Sequence, residues 1–395
     1  MKKKILFMVS SMNIGGVEKS LLSLLSVIPQ DKYDITILTL EKKGGFLEYI
    51  PQNVRLIEAE WFKEIKPIIM DAPQNTIKRY LKIGKIFKIP SFIYSYYKAK
   101  KTGNRYIYYK NVLKSIPMNE EYYDAAIAYA GPTEIIDAYI GYKVNAKKKI
   151  AWVHFDISKY EINKKLYENL YNRFDRILAV SNEANKKLNQ IIPNTTNRSE
   201  VFTNIVLTEE LASKAKEFKA FDEKFDGVKI LTVGRLTKQK GQDLIPGILK
   251  ELINNGYNIK WYCIGEGVLR SELEKVIKEY NLEKNLILLG KQLNPYPYFN
   301  ECDLYVQPSR YEGFCITLTE AKVFKKPIVI TDFVGSEQIS NNNTGIIVKC
   351  NKREIYNAIK SMIDDKYIMS YFEKNLEKEI YENTLNIDKL EKLLG

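Results

Sequence analysis

VKILTVGRLTKQKGQDLIPGILKELINNGYNIKWYCIG, residues 228–265, decides the fold class that this sequence predicts. Two short apolar segments, 228–234 and 259–265, flank a stretch that opens with Gly241 and Asp243 and continues with the spacing of an amphipathic helix. Short strands that alternate with such helices are typical of parallel sheets covered on both faces. The stretch therefore predicts one strand–helix–strand unit of an α/β domain.

The same alternation occurs in two sets along the chain. The first set of predicted strands comprises 5–10, 34–40, 54–59, 124–130, 149–154 and 176–181, and the second comprises 228–234, 259–265, 285–290, 303–308, 327–332 and 345–349. A polar, lysine-rich stretch, 207–227, separates them. We expect two Rossmann-like doubly wound domains, 1–206 and 207–395, that face a central cleft. In one alternative arrangement, the last helix packs back on the first domain.

Length and composition are those of a two-domain globular protein. The chain has 395 residues, of which 45% are hydrophobic, enough for two substantial cores. Its four cysteines share no C-x-x-C spacing and it has one histidine, so neither a disulfide framework nor a metal cluster is predicted. The N-terminal apolar run is too short for a secretory signal, and no stretch approaches the roughly 18 apolar residues of a spanning helix. We expect a cytoplasmic protein.

The formal net charge of +13 favours an anionic partner. Nucleic acid, a membrane surface and an anionic substrate all satisfy that condition. No recognition-helix or RNA-module signature occurs in the sequence, so we do not expect nucleic acid to be the partner.

Loops after the predicted strands supply candidate anion ligands. Gly15 and Gly16 precede a helix, where bare peptide N–H groups can meet an anion, although a plain tight turn explains them equally well. The G-x-G-x-x-G and P-loop patterns are absent, which weakens dehydrogenase and NTPase interpretations. Arg235 and Lys240 leave the strand 228–234 at its carboxyl end, where a guanidinium and an ammonium group suit a diphosphate. Gly265 ends the next strand in a similar turn.

Of two glutamates, Glu312 lies in the loop before another predicted helix, and Glu320 is predicted to lie on the first or second turn of that helix. The peptide N–H groups of residues 313–317 lie at that helix start, where the helix dipole stabilises an anion. The two carboxylates can accept hydrogen bonds from hydroxyl groups on either side of such an anion. Two hydroxylated units that flank a diphosphate describe a nucleotide sugar. In the alternative interpretation, Glu320 is an ordinary first-turn glutamate and Glu312 is a solvated side chain.

EGFCITLTE, residues 312–320, resembles the E-x7-E motif of the retaining glycosyltransferases of family 4, which have the GT-B fold. The resemblance extends to VGRLTKQKG at 233–241, to the glycine pair at 15–16, to FTNIV at 202–206 and to GSEQI at 335–339, and it spans nearly the whole chain. It implies a GT-B architecture of two Rossmann-like domains and transfer of a sugar from a nucleoside diphosphate to an acceptor hydroxyl.

The resemblance also assigns roles to residues. It implies that Glu312 contacts the hydroxyls of the donor sugar, that Glu320 holds the ribose, and that Arg235 and Lys240 bind the diphosphate. The remaining donor-binding candidates are the glycines Gly15, Gly16 and Gly265 and the peptide groups of Gly313, Phe314, Cys315, Ile316 and Thr317. The family often has glycine at the position of Cys315, so the side chain there is expected to narrow the donor site slightly.

The single histidine, His154, ends a predicted strand and is followed by Phe155 and Asp156. A lone histidine at a strand end is commonly structural. The placement nevertheless resembles the W-x-H-x-D stretch of many bacterial members, in which the histidine lines the sugar site. His154 and Glu312 are therefore the catalytic candidates, and Asp156 either orients an acceptor or begins a loop.

The implied reaction retains the anomeric configuration and needs neither metal nor cofactor. No carboxylate is an evident nucleophile, so a front-face mechanism within an ion pair is the hypothesis. The donor is a nucleotide sugar, with UDP preferred over GDP or ADP from family frequency, and the acceptor is a glycan or a lipid-linked molecule in bacterial surface polysaccharide or glycolipid assembly. A noncatalytic glycosyltransferase-like partner subunit and an NAD-dependent enzyme are the alternatives.

The segment 72–119 departs most from regular alternation. It carries eleven lysines and arginines and nine tyrosines and phenylalanines, and it has no acidic residue. Interleaved cationic and aromatic side chains suit the boundary of an anionic bilayer. We expect short helices, interrupted at Pro90 and Gly103, that lie against the inner face of the cell membrane. A solvated basic face is the alternative.

Overall fold

A computed structural model describes residues 2–221, 225–339, 343–378 and 383–394. Its strands are β1 (Lys3–Val9), β2 (Tyr33–Thr39), β3 (Arg55–Glu58), β4 (Tyr122–Gly131), β5 (Asn145–Val153), β6 (Arg176–Ala179), β7 (Ser199–Val201), β8 (Val228–Val233), β9 (Ile259–Ile264), β10 (Leu286–Gly290), β11 (Leu304–Gln307), β12 (Ile328–Thr331) and β13 (Ile346–Val348).

The helices complete the α/β alternation. They are α1 (Gly16–Val27), α2 (Phe62–Met70), α3 (Pro73–Lys82), α4 (Ile89–Thr102), α5 (Arg105–Leu113), α6 (Glu134–Lys143), α7 (Lys164–Tyr171), α8 (Asn182–Ile191), α9 (Thr208–Lys214), α10 (Ile245–Asn254), α11 (Arg270–Glu279), α12 (Tyr296–Glu301), α13 (Ile316–Val323), α14 (Lys352–Asp364), α15 (Lys366–Lys378) and α16 (Asn383–Leu394).

The described residues form two compact units. The first runs from the N-terminal strand to Ile205 and takes in the C-terminal helix from Thr384, and the second runs from Val206 to Asn383. In α16, Leu390, Leu393 and Leu394 are buried, so this helix contributes to the core of the first unit. Residues 222–224, within the polar stretch expected between the domains, lie outside the described residues.

Both units contain a parallel sheet of the same strand order. The first sheet runs β3-β2-β1-β4-β5-β6-β7 and the second runs β10-β9-β8-β11-β12-β13, with all paired strands parallel. Each order places the first strand of its unit beside the fourth, which is the doubly wound Rossmann pattern. The prediction of an α/β fold with two Rossmann-like sheets is therefore confirmed.

The sequence analysis missed one strand. β7 has three residues, all half-buried, and it pairs with the edge of the first sheet at β6. A segment this short carries too few residues to show a period-two pattern, so its pairing follows from the neighbouring strand.

The strand order creates a switch point in each sheet. The chain leaves β1 and β4 toward opposite sides of the first sheet, and it leaves β8 and β11 toward opposite sides of the second. Loops at the carboxyl ends of such strand pairs separate from each other and leave a crevice that binds ligands. The predicted site loops follow β1, β8 and β11, or the neighbouring strands β5 and β9.

The segment 72–119 folds as the expected short helices α3, α4 and α5. Gly103 ends α4 in the left-handed conformation with φ of 62°, while Pro90 lies in the first turn of that helix. The predicted break at Gly103 is thus confirmed. Pro90 begins a helix because its missing N–H group is not needed there.

Candidate functional site

The loop after β8 lies against the end of β11. Gly241, with φ of 75°, ends the loop, and a Cβ atom at that position would lie 1.9 Å from the carbonyl oxygen of Pro308. Gly265, after β9, has φ of 139°, and its Cβ atom would lie 2.0 Å from the carbonyl oxygen of Gly234. These glycines permit the close approach of three strand ends, since any other residue would clash. Gly265 is therefore placed beside the loop of Arg235 and Lys240.

Hydrogen bonds join this loop to the one after β11. The peptide N–H of Arg310 donates to the carbonyl of Gln239 at 2.7 Å, and the Gln239 side chain donates to the carbonyl of Tyr311 at 3.1 Å. The Arg310 guanidinium holds Asp243 through two bonds of 2.7 and 2.9 Å. Burial alone would raise the pKa of Asp243, but the bonds from Arg310 outweigh it and lower that pKa.

This junction places Lys240 on Glu312. The Lys240 Nζ lies 2.5 Å from Glu312 Oε1, and the two side chains are only 16% and 7% exposed. Burial would lower the pKa of Lys240, but the negative charge of Glu312 outweighs that effect and raises it. Lys240 is therefore cationic at neutral pH, in a site shielded from solvent, where its charge acts strongly.

A buried chain of hydrogen bonds holds Glu312 from the other side. Ser309 Oγ donates to Glu312 Oε1 at 2.8 Å, and Gln307 Nε2 donates to Ser309 Oγ at 2.8 Å. The hydroxyl of Tyr305 lies 2.5 Å from Gln307 Oε1 and 2.7 Å from the hydroxyl of Thr317. The chain thus links Glu312 to the first turn of α13. Ser309 and Lys240 both donate to Oε1 of Glu312, so the carboxylate is oriented.

The helix α13 begins directly after this loop. Cys315 is its N-cap residue and lies 2% exposed, with its Sγ 3.2 Å from the hydroxyl of Thr317. Burial raises the pKa of the Cys315 thiol to about 12, so it is a neutral packing group. The peptide N–H groups of Ile316 and Thr317 have no carbonyl partner inside the helix, as at every helix start. Peptide N–H groups of this kind can meet an anion.

Glu320 lies on the second turn of α13 and is 1% exposed. The Tyr296 hydroxyl lies 3.5 Å from Glu320 Oε1, and burial together with the Glu320 charge raises the pKa of that tyrosine. The prediction that Glu320 sits in the first two turns is confirmed. Both carboxylates of the motif are therefore buried beside one helix start.

Arg235 differs from Lys240 in its surroundings. Its side chain is exposed and forms no hydrogen bond or ion pair with the described residues. A guanidinium group at a strand end that is not engaged within its own unit can bind a phosphate without first breaking a contact.

In the first unit, Gly15 is the N-cap residue of α1 and Gly16 is its first residue. A Cβ atom on Gly15 would lie 2.6 Å from the Glu18 carboxylate. A negative charge from the same helix therefore lies at this turn. The anion-binding and tight-turn interpretations of the glycine pair both remain predictions.

His154 follows β5 and its peptide N–H donates to the carbonyl of Gly131 at 2.9 Å. The ring centroid lies 4.6 Å from that of Tyr129 and 5.9 Å from that of Trp152. Burial lowers the pKa of His154 to about 3, despite a hydrogen bond to the backbone of Tyr129, so the imidazole is neutral. Its Nε2 atom is buried without a partner among the described residues.

Asp156 begins a loop. Its Oδ1 accepts hydrogen bonds from the peptide N–H and the hydroxyl of Ser158, at 3.0 and 2.6 Å, and Lys187 lies 3.4 Å from Oδ2. The carboxylate is 1% exposed. These contacts favour the structural one of the two roles expected for Asp156.

Several residues that position the candidate side chains within each unit were not predicted from the sequence. In the first unit, Ser20 lies 2.8 Å from the Tyr129 hydroxyl and donates to Asn204 Oδ1 at 2.6 Å. In the second unit, Gln307 and Ser309 orient Glu312. Gln307 and Ser309 lie at a strand end, and this position could have identified them as site residues. No sequence motif marks the contacts of Ser20, because its partners are 109 and 184 residues away in the chain.

Three further observations bear on cofactors and location. The described residues contain no group of three or more histidine, cysteine, aspartate or glutamate side chains that could hold a metal ion. The four cysteines, Cys263, Cys302, Cys315 and Cys350, are free thiols. In the described part of the chain, every helix is too short or too polar to cross a bilayer.

Comparison with known proteins finds a family match that lies almost entirely within the second unit. Residues 213–384 match the family model of glycosyl transferases group 1. The chain is 31% identical over 240 residues to the N-acetylgalactosamine-N,N'-diacetylbacillosaminyl-diphospho-undecaprenol 4-alpha-N-acetylgalactosaminyltransferase of Campylobacter jejuni, a match that covers 59% of this chain and 64% of that protein. The chain spans less than two thirds of that relative, and 42% and 34% of two others.

Two longer matches cover nearly the whole chain. The UDP-Gal:alpha-D-GlcNAc-diphosphoundecaprenol alpha-1,3-galactosyltransferase of Escherichia coli is 22% identical over 385 residues, 95% of this chain and 91% of that protein. The crystal structure of Anabaena HepE in complex with UDP-glucose superposes with a TM-score of 0.73 at 16% identity and covers 99% of both chains. At this identity the superposition shows a shared fold.

The close approach at Gly241 predicts a stability difference between two glycines. Gly256 also has a positive φ, of 86°, but nothing lies within 4 Å of its Cβ position. We expect Gly256→Ala to lower the free energy of unfolding by about 1–2 kcal/mol, the cost of a left-handed residue with a side chain. Gly241→Ala adds the clash with Pro308, for a total of about 3 kcal/mol or more. Urea unfolding followed by circular dichroism measures both, and equal losses would contradict the close approach.

Proposed function

We propose that this chain, whose residues 213–384 match the family model of glycosyl transferases group 1, is an enzyme that transfers a sugar from a nucleoside-diphosphate sugar to a hydroxyl group of an acceptor. The observation that carries the proposal is the ion pair of Lys240 and Glu312 beside the start of α13. It supports the proposal because it assembles a shielded cation, an oriented carboxylate and free helix N–H groups at one switch point.

The leaving diphosphate is the group that most needs stabilisation. As the glycosidic bond breaks, negative charge grows on the diphosphate, and positive groups fixed in advance lower the barrier. Lys240 supplies a charge on the buried side of the loop, and Arg235 supplies an exposed guanidinium. The start of α13 adds peptide N–H groups. This chain therefore offers three sources of positive potential without a metal ion.

The two glutamates hold the sugar and the ribose in this proposal. Lys240 and Ser309 both contact Oε1 of Glu312. That arrangement favours presentation of the carboxylate to sugar hydroxyls in one orientation. Glu320, deeper in the fold and near the Tyr296 hydroxyl, takes the ribose hydroxyls.

The donor and acceptor classes in this proposal are those for which the relatives are named. The Escherichia coli protein is named for UDP-Gal and a diphosphoundecaprenol-linked sugar, and HepE was solved with UDP-glucose. The Campylobacter protein is likewise named for a diphospho-undecaprenol acceptor. We therefore propose a UDP-sugar as the donor and a lipid-linked or polysaccharide acceptor in bacterial surface glycan assembly.

Such an acceptor would bring the protein to a membrane. We propose a cytoplasmic protein that lies peripherally on the inner face of the cell membrane, with the basic segment 72–119 toward anionic lipid. His154, neutral and with an unpartnered Nε2, is proposed to line the sugar site. There its uncharged imidazole forms a hydrogen bond with a sugar hydroxyl.

A noncatalytic partner subunit is the other candidate. Such a subunit has no need to keep Arg235, Lys240, Glu312 and Glu320 together. All four are present, and the Lys240–Glu312 pair is assembled in the unit itself. The catalytic proposal is therefore preferred.

The phosphate role of Lys240 is tested against Lys238, which lies in the same 3₁₀ turn but is 58% exposed and pairs with Glu272 at 3.0 Å. We expect Lys240→Ala to lower turnover of the UDP-sugar by roughly 10² to 10³, about 3–4 kcal/mol of transition-state stabilisation. Lys238→Ala leaves turnover nearly unchanged. A screen of nucleotide sugars for release of the nucleoside diphosphate identifies the donor and supplies the assay.

Wild-type turnover in a folded Lys240→Ala protein would remove the phosphate role. Absence of nucleoside diphosphate release from every nucleotide sugar, with and without acceptor lipids, would contradict the enzyme proposal as a whole.

The glutamates predict different losses. We expect Glu312→Gln to lower turnover strongly while free UDP binds almost as before, because its partner is the sugar. Glu320→Ala weakens binding of free UDP itself, because its partner is the ribose. Calorimetric titration of UDP into both variants measures the difference, with the exposed Glu283→Gln as the control. Equal weakening by both substitutions would count against the two roles.

The stereochemical outcome tests the front-face hypothesis. No carboxylate is placed as an evident nucleophile, so we expect departure of the diphosphate and attack of the acceptor on the same face of the sugar, with retention. Proton NMR of the anomeric centre in donor and product decides the question. An inverted product would overturn retention while leaving the transferase proposal in place.

A further inference from the structure

An exposed apolar tip joins α3 to α4. The side chains of Leu81, Ile83, Ile86 and Phe87 are 56%, 47%, 60% and 73% exposed. The four residues lie within seven positions of the sequence, and an exposed apolar patch commonly marks an interaction site. We call these four residues the apolar tip.

The local fold explains why the tip projects. Within α3, Thr76 and Tyr80 are buried, and the helix ends at Lys82. Gly84, with φ of 70°, then turns the chain in the left-handed region, and nothing lies within 4 Å of its Cβ position. The chain therefore turns away from the unit at this point, and the apolar side chains on both sides of Gly84 face solvent.

The outer face of α4 continues this surface. Its inner side buries Phe92, Ser95 and Ala99. Tyr94 and Tyr97, each 62% exposed, share the opposite face with Lys98 and Lys101, since these four positions follow the spacing of one helix face. Lys98 Nζ lies 2.6 Å from the Tyr94 hydroxyl. We call the apolar tip with this face the α3–α4 surface.

Much of the positive charge on this surface is uncompensated. Lys78, Lys82, Lys100 and Lys101 are exposed and make no ion pair or hydrogen bond through their side chains with the described residues. Two neighbours are engaged within the unit: Lys85 pairs with Glu64 at 3.6 Å, and Lys88 donates to Ser115 at 2.9 Å. The segment 72–119 itself has no acidic residue.

We propose that the α3–α4 surface is a membrane-docking surface whose partner is an anionic lipid bilayer. The apolar tip enters the boundary between headgroups and acyl chains, the tyrosines lie at headgroup depth, and the free lysines contact anionic headgroups. The inference rests on the proposed function and deepens it, because it assigns the membrane contact of segment 72–119 to particular apolar side chains and lysines. Its test, however, requires no turnover.

The composition of the surface favours lipid over a protein partner. Lysine is depleted in the cores of protein interfaces, whereas lysines around exposed apolar side chains are typical of interfacial membrane anchors. Each basic residue near an anionic membrane contributes about 1 kcal/mol, and four unengaged lysines with four apolar side chains provide two anchoring signals of different kinds.

Cosedimentation with vesicles tests the tip. We expect the full chain to bind mixed phosphatidylglycerol–phosphatidylcholine vesicles at low salt and to bind pure phosphatidylcholine vesicles much more weakly. Phe87→Ser lowers the partition coefficient into the mixed vesicles roughly tenfold or more, since burial of an aromatic side chain is lost. The matched control is Tyr367→Ser in the second unit, where the side chain is 77% exposed, and it leaves partition unchanged.

The lysines are tested separately. The double variant Lys82→Gln/Lys101→Gln lowers the partition coefficient into the mixed vesicles roughly 25-fold, about fivefold for each charge removed. High salt abolishes the difference between wild type and this variant. A third substitution, Phe87→Trp, reports insertion directly, because its indole fluorescence shifts to the blue and is quenched by brominated lipids on vesicle binding.

Donor hydrolysis by the same variants without vesicles separates this inference from the proposed function. Loss of vesicle binding by Phe87→Ser with unchanged hydrolysis supports the docking surface. Vesicle binding by wild type without any hydrolysis supports the surface while the enzyme proposal fails. Equal partition of wild type, Phe87→Ser and the lysine variant overturns the inference, as does the absence of quenching in Phe87→Trp. Concentration-dependent self-association that Phe87→Ser abolishes, without vesicle binding, assigns the surface to a second copy of the chain and also overturns it.

Discussion

The candidate site depends on one ion pair, that of Lys240 and Glu312. Removing two charged groups from water is costly, and their mutual attraction compensates only when hydrogen bonds satisfy the remaining polar atoms. Here Ser309 shares the carboxylate oxygen with Lys240, and Gln307 in turn holds Ser309. The pair therefore sits in a prepared polar environment. The ion pair requires that the loops after β8 and β11 lie close together. The glycines and hydrogen bonds described above hold these loops in that position.

The two loops can lie this close only because their backbones have room to approach each other. Gly241 lies so near Pro308 that a side chain has no room, and Gly265 has the same relation to Gly234. Arg310 then fixes the two loops through Asp243 and Gln239. Because β8 and β11 are neighbours at the switch point, the parallel sheet brings these loops together.

The two units contribute unlike chemistry. The second unit concentrates charge, with Arg235, Lys240 and two buried glutamates around a helix start. The first unit offers a neutral imidazole, His154, among the aromatic side chains of Tyr129 and Trp152, because burial lowers its pKa to about 3. Charged groups suit a diphosphate, whereas a neutral hydrogen-bonding group suits a sugar hydroxyl.

The sequence by itself determined the two sets of strands and helices and the types of residue at the strand ends, because period and turn chemistry are local properties. It also placed Glu320 within α13 and the break at Gly103. Only the tertiary structure decided which residues act on one another. The Lys240–Glu312 contact spans 72 residues and the Ser20–Asn204 contact spans 184, and both follow from the order of strands in a sheet. Short edge strands such as β7 and the exposure of Phe87 were decided in the same way, since pairing and burial depend on neighbours that lie far away in the chain.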